Sequence, residues 1–383
     1  MQTKIIHLAA PTDKRLTPEN SPGSYYQHSW AATIARRIKQ RYPDLDVETW
    51  RTDWHLESVS TVEEKGLYYR HFPMHGSFLN HMLSYRMCKE LWQLSKTQNL
   101  ILHYHDIYDL VAVLLPIIVP KAKIVLFHHG GIPPNSGDIK GNVRNRLFRF
   151  NSNKYRYISY LNKATQTYLE QQRLGDKIGF IPVGADYDYF NRLTKAEARK
   201  MLGIGQHEII VMAVGQVAKL KGADLLYEAV KALQCEFNIR LVFVGPNVPE
   251  EQDLYRKLLS INSILPGYVT WPEMPKYFSA CDFFVHPIFF DTVGFDVSLL
   301  EALASNRPVV SSRIDILDCR TEDIGVFLKS RNELKVKMEY MIKNFPQYTS
   351  VRACSIGKYD ANTAIVDSIC RIYTEHCGMV NVI

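Results

Sequence analysis

The chain has 383 residues, of which 46% are hydrophobic and 22% charged, and carries a formal charge of +7. That length exceeds the usual single hydrophobic core, so two domains are expected, and the ordinary composition excludes wholesale disorder. The mild basic excess suits an anionic partner such as a nucleotide phosphate, a lipid headgroup or a nucleic acid, without choosing among them. Seven scattered cysteines without a C-x-x-C pair exclude a disulfide framework or a zinc cage, and fit a reducing, cytoplasmic compartment.

Taken in order, residues 3–8 form too short an apolar run for a signal peptide and read as a first strand. Further strands are expected at 47–50, 100–103, 124–127, 157–159 and 178–182, then at 208–214, 240–244, 269–271, 283–286 and 309–311. Helices are expected at 29–41, 80–95, 195–202, 222–234, 274–280 and 297–305. The most apolar stretch, 110–119, is interrupted by Pro116 and is too short to span a bilayer. The protein therefore reads as soluble, free to lie on a membrane surface. Alternation of short apolar runs with longer amphipathic ones predicts an α/β protein with parallel sheets. The boundary is placed near residue 190, after Asp186-Tyr187-Asp188-Tyr189-Phe190-Asn191. This gives a first domain over 1–190, a second over 191–358, and a terminal helix over 359–383 that crosses back to the first.

Two segments of the second half carry chemistry. In the first, a buried strand ends at Gly215, and Lys221-Gly222 opens an amphipathic helix. Open α/β sheets bind ligands at the carboxyl ends of their strands, where helix N-termini and a nearby lysine favour a diphosphate. Taken alone, the segment fits a solvated turn lysine equally well. In the second, a strand ends near Pro287, a loop containing Gly294 follows, and a helix begins at Val297. Asp296 is its expected N-cap, and Ser298 and Glu301 lie in its first turns. A carboxylate at that place either faces solvent or accepts two vicinal hydroxyls.

Together these segments resemble the retaining glycosyltransferases of family 4, whose GT-B fold has two facing Rossmann-like domains and an interdomain cleft. The family reads G-R-x-x-x-x-K-G-x-x-x-L-L and E-G-F-G-x-x-x-L-E-A-x-A-x-G-x-P-V-V. This chain has Gly215-Gln216 with Lys221-Gly222, then Gly294-Phe295-Asp296 with Leu300-Glu301-Ala302-Leu303-Ala304 and Arg307-Pro308-Val309-Val310. Ile181-Pro182-Val183-Gly184-Ala185-Asp186 and Ser279-Ala280-Cys281-Asp282-Phe283-Phe284-Val285-His286-Pro287 resemble two further family motifs. The likeness is close over 178–330 and looser before.

The resemblance implies that Lys221 binds the donor pyrophosphate and Glu301 the ribose hydroxyls. The backbone at Gly294, Phe295, Asp296 and Val297, with Ser298, would meet the diphosphate or sugar. Two departures stand out. Val293 falls where the family's sugar-binding glutamate stands, with Asp291 two residues earlier. Gln216 replaces the pyrophosphate arginine, with Lys219 in the same loop as a second cation. In the first half, Gly23 resembles the family's glycine loop, Leu102-His103-Tyr104-His105-Asp106 its H-x-H-D segment, and Phe127-His128-His129-Gly130-Gly131 its H-G strand end. His129 is expected in the site, and His128 is expected to be structural.

No metal or cofactor is expected beyond the nucleotide-diphosphate sugar. Asp44-Leu45-Asp46 and Asp186-Tyr187-Asp188 match D-x-D only by coincidence. Basic residues at Arg36, Arg37, Arg144, Arg146 and Arg149 point to contact with a lipid phosphate or an anionic membrane, and no nucleic-acid motif accompanies them. The reading is a metal-independent retaining glycosyltransferase acting on a glycan or lipid-linked hydroxyl. An epimerase or phosphorylase of the same fold, or an inactive partner subunit, is the alternative.

Overall fold

The structure is a computed structural model that describes residues 2–9, 30–74, 77–78, 83–129, 133, 139–172, 174–289, 297–314 and 317–379. The chain divides into two compact units, and the division falls between Val183 and Gly184. The C-terminal residues from Asn362 onward belong to the first unit.

In the first unit the elements run β1 (Thr3–Leu8), α1 (Trp30–Arg41), β2 (Asp46–Asp53), β3 (Ser60–Glu64), β4 (Leu67–Pro73), β5 (Ser77–Phe78) and β6 (Leu83–Ser84). They continue with α2 (Tyr85–Thr97), β7 (Asn99–Tyr104), α3 (Leu110–Ile118), β8 (Lys123–Phe127), α4 (Ile139–Phe150), β9 (Tyr155–Tyr160), α5 (Lys163–Glu170) and β10 (Ile178–Phe180). Eight strands form one sheet in the order β10-β9-β8-β7-β1-β2-β4-β3, parallel except for the β3/β4 edge pair. Side chains alternate across a strand, and that period sorts the core into two layers. Ile6, Trp50, Phe72, Leu102 and Leu126 pack with α2, α3 and α5 on one face. Ile5, Val47, Tyr69, Ile101 and Val125 pack on the other face with α1 and the last helix, Ala364–Cys377. That helix is further held by Asp367, which accepts hydrogen bonds from Arg41 at 3.1 Å and from the Tyr42 hydroxyl at 2.7 Å.

The second unit contains α6 (Tyr187–Phe190), α7 (Lys195–Leu202), β11 (Ile209–Val214), α8 (Ala223–Leu233), β12 (Ile239–Val244), α9 (Gln252–Ser260), β13 (Ile264–Gly267) and α10 (Met274–Ala280). It continues with β14 (Phe283–His286), α11 (Val297–Ala304), β15 (Val309–Ser311), α12 (Thr321–Ile324), β16 (Gly325–Phe327), α13 (Leu334–Asn344) and α14 (Val351–Tyr359), which leaves α15 for Ala364–Cys377. Its six strands are all parallel, in the order β13-β12-β11-β14-β15-β16. Each is a short, nearly continuous apolar run because helices cover both faces.

Two expectations change, and one stretch left unassigned proves to be a helix. Residues 269–271 are not a strand: the edge strand is Ile264–Gly267, it stops at Gly267 with φ +73°, and Pro272 lies in a short 3-10 turn beginning at Trp271. The 110–119 stretch is a helix despite Pro116, opened by Asp109, which accepts from the Ala112 N–H at 2.9 Å. The helix expected from residue 80 starts at Tyr85, where Ser84 caps it through the Met87 N–H. Among the described residues no helix is long and apolar enough to cross a membrane, and all seven cysteines are free.

The second unit is fastened at the amino ends of its strands by a buried charge cluster. The Arg199 guanidinium donates to Asp282 at 2.8 Å and to the carbonyls of Ala280, Gly205 and Gln206, while Asp282 also accepts from the Ile210 N–H at 2.6 Å and pairs with Lys195. Arg199 is 1% exposed. Removing one partner of such a pair leaves a buried, unbalanced charge. Arg199→Ala should lower unfolding free energy by about 3–5 kcal/mol, measured by urea denaturation.

Candidate functional site

In an open parallel sheet, ligands gather where the strand order reverses, because the loops leaving adjacent strand ends there diverge to opposite faces. In the second unit that point is the β11/β14 pair, since β12 and β13 follow β11 to one side and β15 and β16 follow β14 to the other. Gly215, at the end of β11, has φ +142°, and the Lys221 side chain lies against it: a Cβ there would meet the lysine Cγ and Cδ at 3.3 Å. Gly222 has φ +73° and packs on Pro287 beyond β14, where a Cβ would come within 2.6 Å of the proline ring. The glycines thus let the Lys221 stem fold over the strand end and join the two loops. Lys221 is half-buried, whereas Gln216 and Lys219 are exposed.

Helix α8 starts at Gly222, and α11 starts at Val297 beyond β14; their N-termini carry partial positive charge from the helix dipole. Val297 and Ser298, in the first turn of α11, are half-buried. Glu301, a turn further along, is buried at 7% exposure. A carboxylate at that depth is retained only with hydrogen-bonding or charged company. Gly23, Asp291, Val293, Gly294, Phe295 and Asp296 lie outside the described residues.

The first unit has its own reversal at β1/β7, and four histidines collect there. His7 and His103 are register partners across β1 and β7. The alternation His103-Tyr104-His105 turns both imidazoles to the face that carries α1 and α15, and Phe127-His128-His129 puts His129 on that face too. His7 Nδ1 lies 3.0 Å from His105 Nε2, and His105 Nδ1 lies 2.7 Å from His129 Nε2. The Tyr373 hydroxyl of α15 bonds His103 Nδ1 and stands 3.4 Å from His7 Nε2. His128 faces the opposite side, edge-on to Tyr108 and 3.5 Å from the Thr165 hydroxyl.

Burial pushes His7 and His129 down to about 3, and holds His103 and His105 well below the usual imidazole range. The neutral form is the one that ligates metals, and nitrogens of His7, His103 and His105 lie within 4.8 Å of one another. The rings of His103 and His105, however, stack at 7° with centroids 4.4 Å apart. Lone pairs lie in the ring plane, so those of parallel rings do not converge on a tetrahedral ion. Hydrogen bonding accounts for the arrangement better. His7 and Tyr373 were missed in the sequence; His7 is legible there only as the residue two after Ile5, and Tyr373 only through the docking of α15.

The D-x-D-like pairs have structural partners. Asp46 binds Lys4 at 3.0 Å, Asp186 caps α6 through the Tyr189 N–H, and Asp188 pairs with Arg352. Of the basic residues expected on a surface, Arg37 is buried at 9% exposure, which corrects its assignment. Arg36 is half-buried beside Thr33, and Arg144 donates to the Tyr108 carbonyl. Arg146 and Arg149 are exposed on α4, with Ile139, Val143 and Phe150 also open to solvent at 80%, 51% and 74%.

Two α/β units, each built on a mostly parallel sheet, define a Rossmann-like architecture. Residues 208–344 match the family described as glycosyl transferases, group 1. The match lies almost wholly within the second unit, and the chain has the GT-B glycosyltransferase fold. A D-inositol 3-phosphate glycosyltransferase of Pseudarthrobacter chlorophenolicus is 29% identical over 148 residues, 36% of this chain and 34% of that protein. The alpha-galactosylglucosyldiacylglycerol synthase of Streptococcus pneumoniae is 23% identical over 208 residues, 51% of this chain and 54% of that one. The chain thus spans about a third to a half of the length of these curated relatives. The crystal structure of Anabaena Alr3699/HepE in complex with UDP shares the fold at a TM-score of 0.67, with 16% identity over 97% of this chain and 99% of the other.

The histidine cluster makes stability depend on acid. Groups held near 3 when folded and near 6.5 when unfolded bind more protons in the unfolded chain. Their contribution is complete above pH 6.5 and is lost as pH falls toward 3. Asp109, raised to about 6 by burial, acts oppositely between 6 and 3.8, but it is one group against four. The thermal midpoint should therefore fall between pH 7 and pH 4.5, as followed by circular dichroism; an unchanged midpoint would show that the cluster titrates freely.

Proposed function

We propose that this chain is a retaining glycosyltransferase that moves a sugar from a nucleotide-diphosphate sugar to a hydroxyl of a glycan or lipid-linked acceptor. The carrying observation is the grouping at the second unit's strand reversal: Lys221 folded over Gly215, the N-terminus of α11, and buried Glu301. Lys221 and the helix dipole stabilise the charge that grows on the departing diphosphate. Glu301 accepts from the ribose hydroxyls. The leaving phosphate assists removal of the acceptor proton, and the reaction needs no metal. His129 of the first unit contacts the transferred sugar or the acceptor. The bound UDP of the HepE structure supports a uridine-type donor for the shared fold.

An inactive partner subunit is the second reading, favoured by Gln216 standing exposed where the family carries an arginine. The discriminating measurement is calorimetry with UDP and UDP-sugars. The transferase reading expects binding, and expects Lys221→Ala to weaken it about tenfold to a hundredfold, the worth of a charged hydrogen bond. Absence of binding by the intact chain, or unchanged binding and turnover in both Lys221→Ala and Glu301→Ala, would overturn it.

A lipid-linked acceptor also requires a surface that meets a bilayer. Ile139, Val143 and Phe150 recur at helical spacing along α4 as an exposed apolar stripe, with Arg146 and Arg149 also exposed on the helix. Flotation with vesicles containing anionic lipid should retain the wild-type chain, and a Val143→Asp, Phe150→Asp double variant should be released. Equal recovery with neutral and anionic vesicles would count against this role for Arg146 and Arg149.

A further inference from the structure

Two cysteines of the second unit stand on facing elements. Cys354 lies on α14, and Cys319 lies in the connection between β15 and α12. The Cys319 thiol donates to the Cys354 carbonyl at 3.3 Å. The helix holds the same connection at the preceding residue. The Asp318 N–H donates to the Tyr359 hydroxyl at 2.7 Å, and the Lys358 ammonium pairs with the Asp318 carboxylate at 2.7 Å and donates to the Asp318 carbonyl. Cys354 and Lys358 are four residues apart, so they share the face of α14 on which residues 318–319 lie.

These contacts are modest in strength. A thiol is a weak donor, and the Asp318 carboxylate of the ion pair is 88% exposed. They nevertheless keep the two sulfurs close. A carbonyl oxygen stands about 2.4 Å from its own Cα, so the Cys319 sulfur lies no more than about 5.7 Å from the Cys354 Cα. Burial raises the Cys319 thiol, the Lys358 ammonium opposes that rise, and the Cys354 thiol is near enough to add to it. Cys354 is exposed and Cys319 half-buried. Cys281, Cys370 and Cys377, by contrast, are buried, and desolvation pushes each up to about 12, which leaves them inert.

We propose that Cys319 and Cys354 form a redox-modification site that closes to a reversible disulfide when the chain meets hydrogen peroxide. The exposed Cys354 sulfur attacks one peroxide oxygen, the O–O bond breaks, and Cys354 becomes a sulfenic acid as the first water leaves. The Cys319 sulfur then attacks the Cys354 sulfur. The S–S bond forms, the S–O bond breaks, and hydroxide departs with the Cys319 proton as a second water. Two thiols are oxidised, and one peroxide is reduced to two waters. A disulfide spans about 4.4–6.8 Å between Cα atoms, so closure asks the two side chains to turn between staggered wells and leaves α14 in place. The new bond replaces weak contacts with a covalent one between residues 35 apart. It fixes the connection leaving β15 to α14, which packs on α11, the helix that carries Glu301.

The test exposes the full, reduced chain to hydrogen peroxide in slight excess, blocks the remaining thiols with N-ethylmaleimide, and maps the unreduced digest by mass spectrometry. The expected product is a pair of peptides joined through Cys319 and Cys354, returned to two thiols by dithiothreitol. In Cys319→Ser the sulfenic acid has no thiol to resolve it, so labelling of Cys354 by dimedone during oxidation should rise about fivefold over the wild type. The proposal is overturned if the oxidised wild-type chain lacks the Cys319–Cys354 bond, whether Cys354 stays a thiol, runs on to sulfinic acid or pairs elsewhere; that result needs no variant to fold. Equal dimedone labelling of Cys354 in the wild type and Cys319→Ser would overturn the order of attack. Neither measurement involves sugar transfer, so this inference and the proposed function fail separately.

Discussion

A parallel sheet covered by helices on both faces has no room for uncompensated polar groups along its strands, so they are left at the strand ends. Both units obey this constraint. In the second, β11 is apolar throughout and β14 is apolar until its final residue, His286, and the polar residues Gln216, Lys219 and Lys221 appear only after Gly215. In the first, β1, β7 and β8 bury isoleucine, leucine and valine until their final turns, where His7, His103, His105 and His129 arrive together. The strand reversals then decide which of these ends open onto a crevice and which are covered by their own connections.

The two reversals are built differently, and the difference is chemical. The second unit gathers a flexible cation, two helix N-termini and a buried carboxylate, all suited to holding a charged, many-oxygened ligand. The first gathers neutral rings held in mutual contact and hydrogen-bonded to Tyr373. Burial gives such a stack little capacity for charge.

Close backbone approach is the second recurring device. Gly222 against Pro287 and Gly215 beneath Lys221 are places where any side chain would collide or demand a strained backbone. These glycines position a lysine rather than contact chemistry themselves. The Arg199–Asp282 pair does comparable work at the opposite edge of the same sheet, tying α7, β11 and β14 through one guanidinium and one carboxylate.

The α/β class, most of the parallel strands, and the Lys221 and Glu301 segments were legible in the sequence, because apolar runs and turn residues are local signals. Even the shared face of His103 and His105 could be read, since a period of two needs no partner. The edge strand at Ile264–Gly267 and the strand Leu67–Pro73 escaped, the latter because Arg70 and His71 blur its apolar pattern. What only the tertiary structure decided were pairings across long separations. His7 meets His103 through sheet register, and Tyr373 reaches them from a helix more than two hundred residues later, because α15 packs on the face that carries their rings. No local pattern encodes such contacts; they arise when separate apolar faces close on one core and bring their few polar residues together.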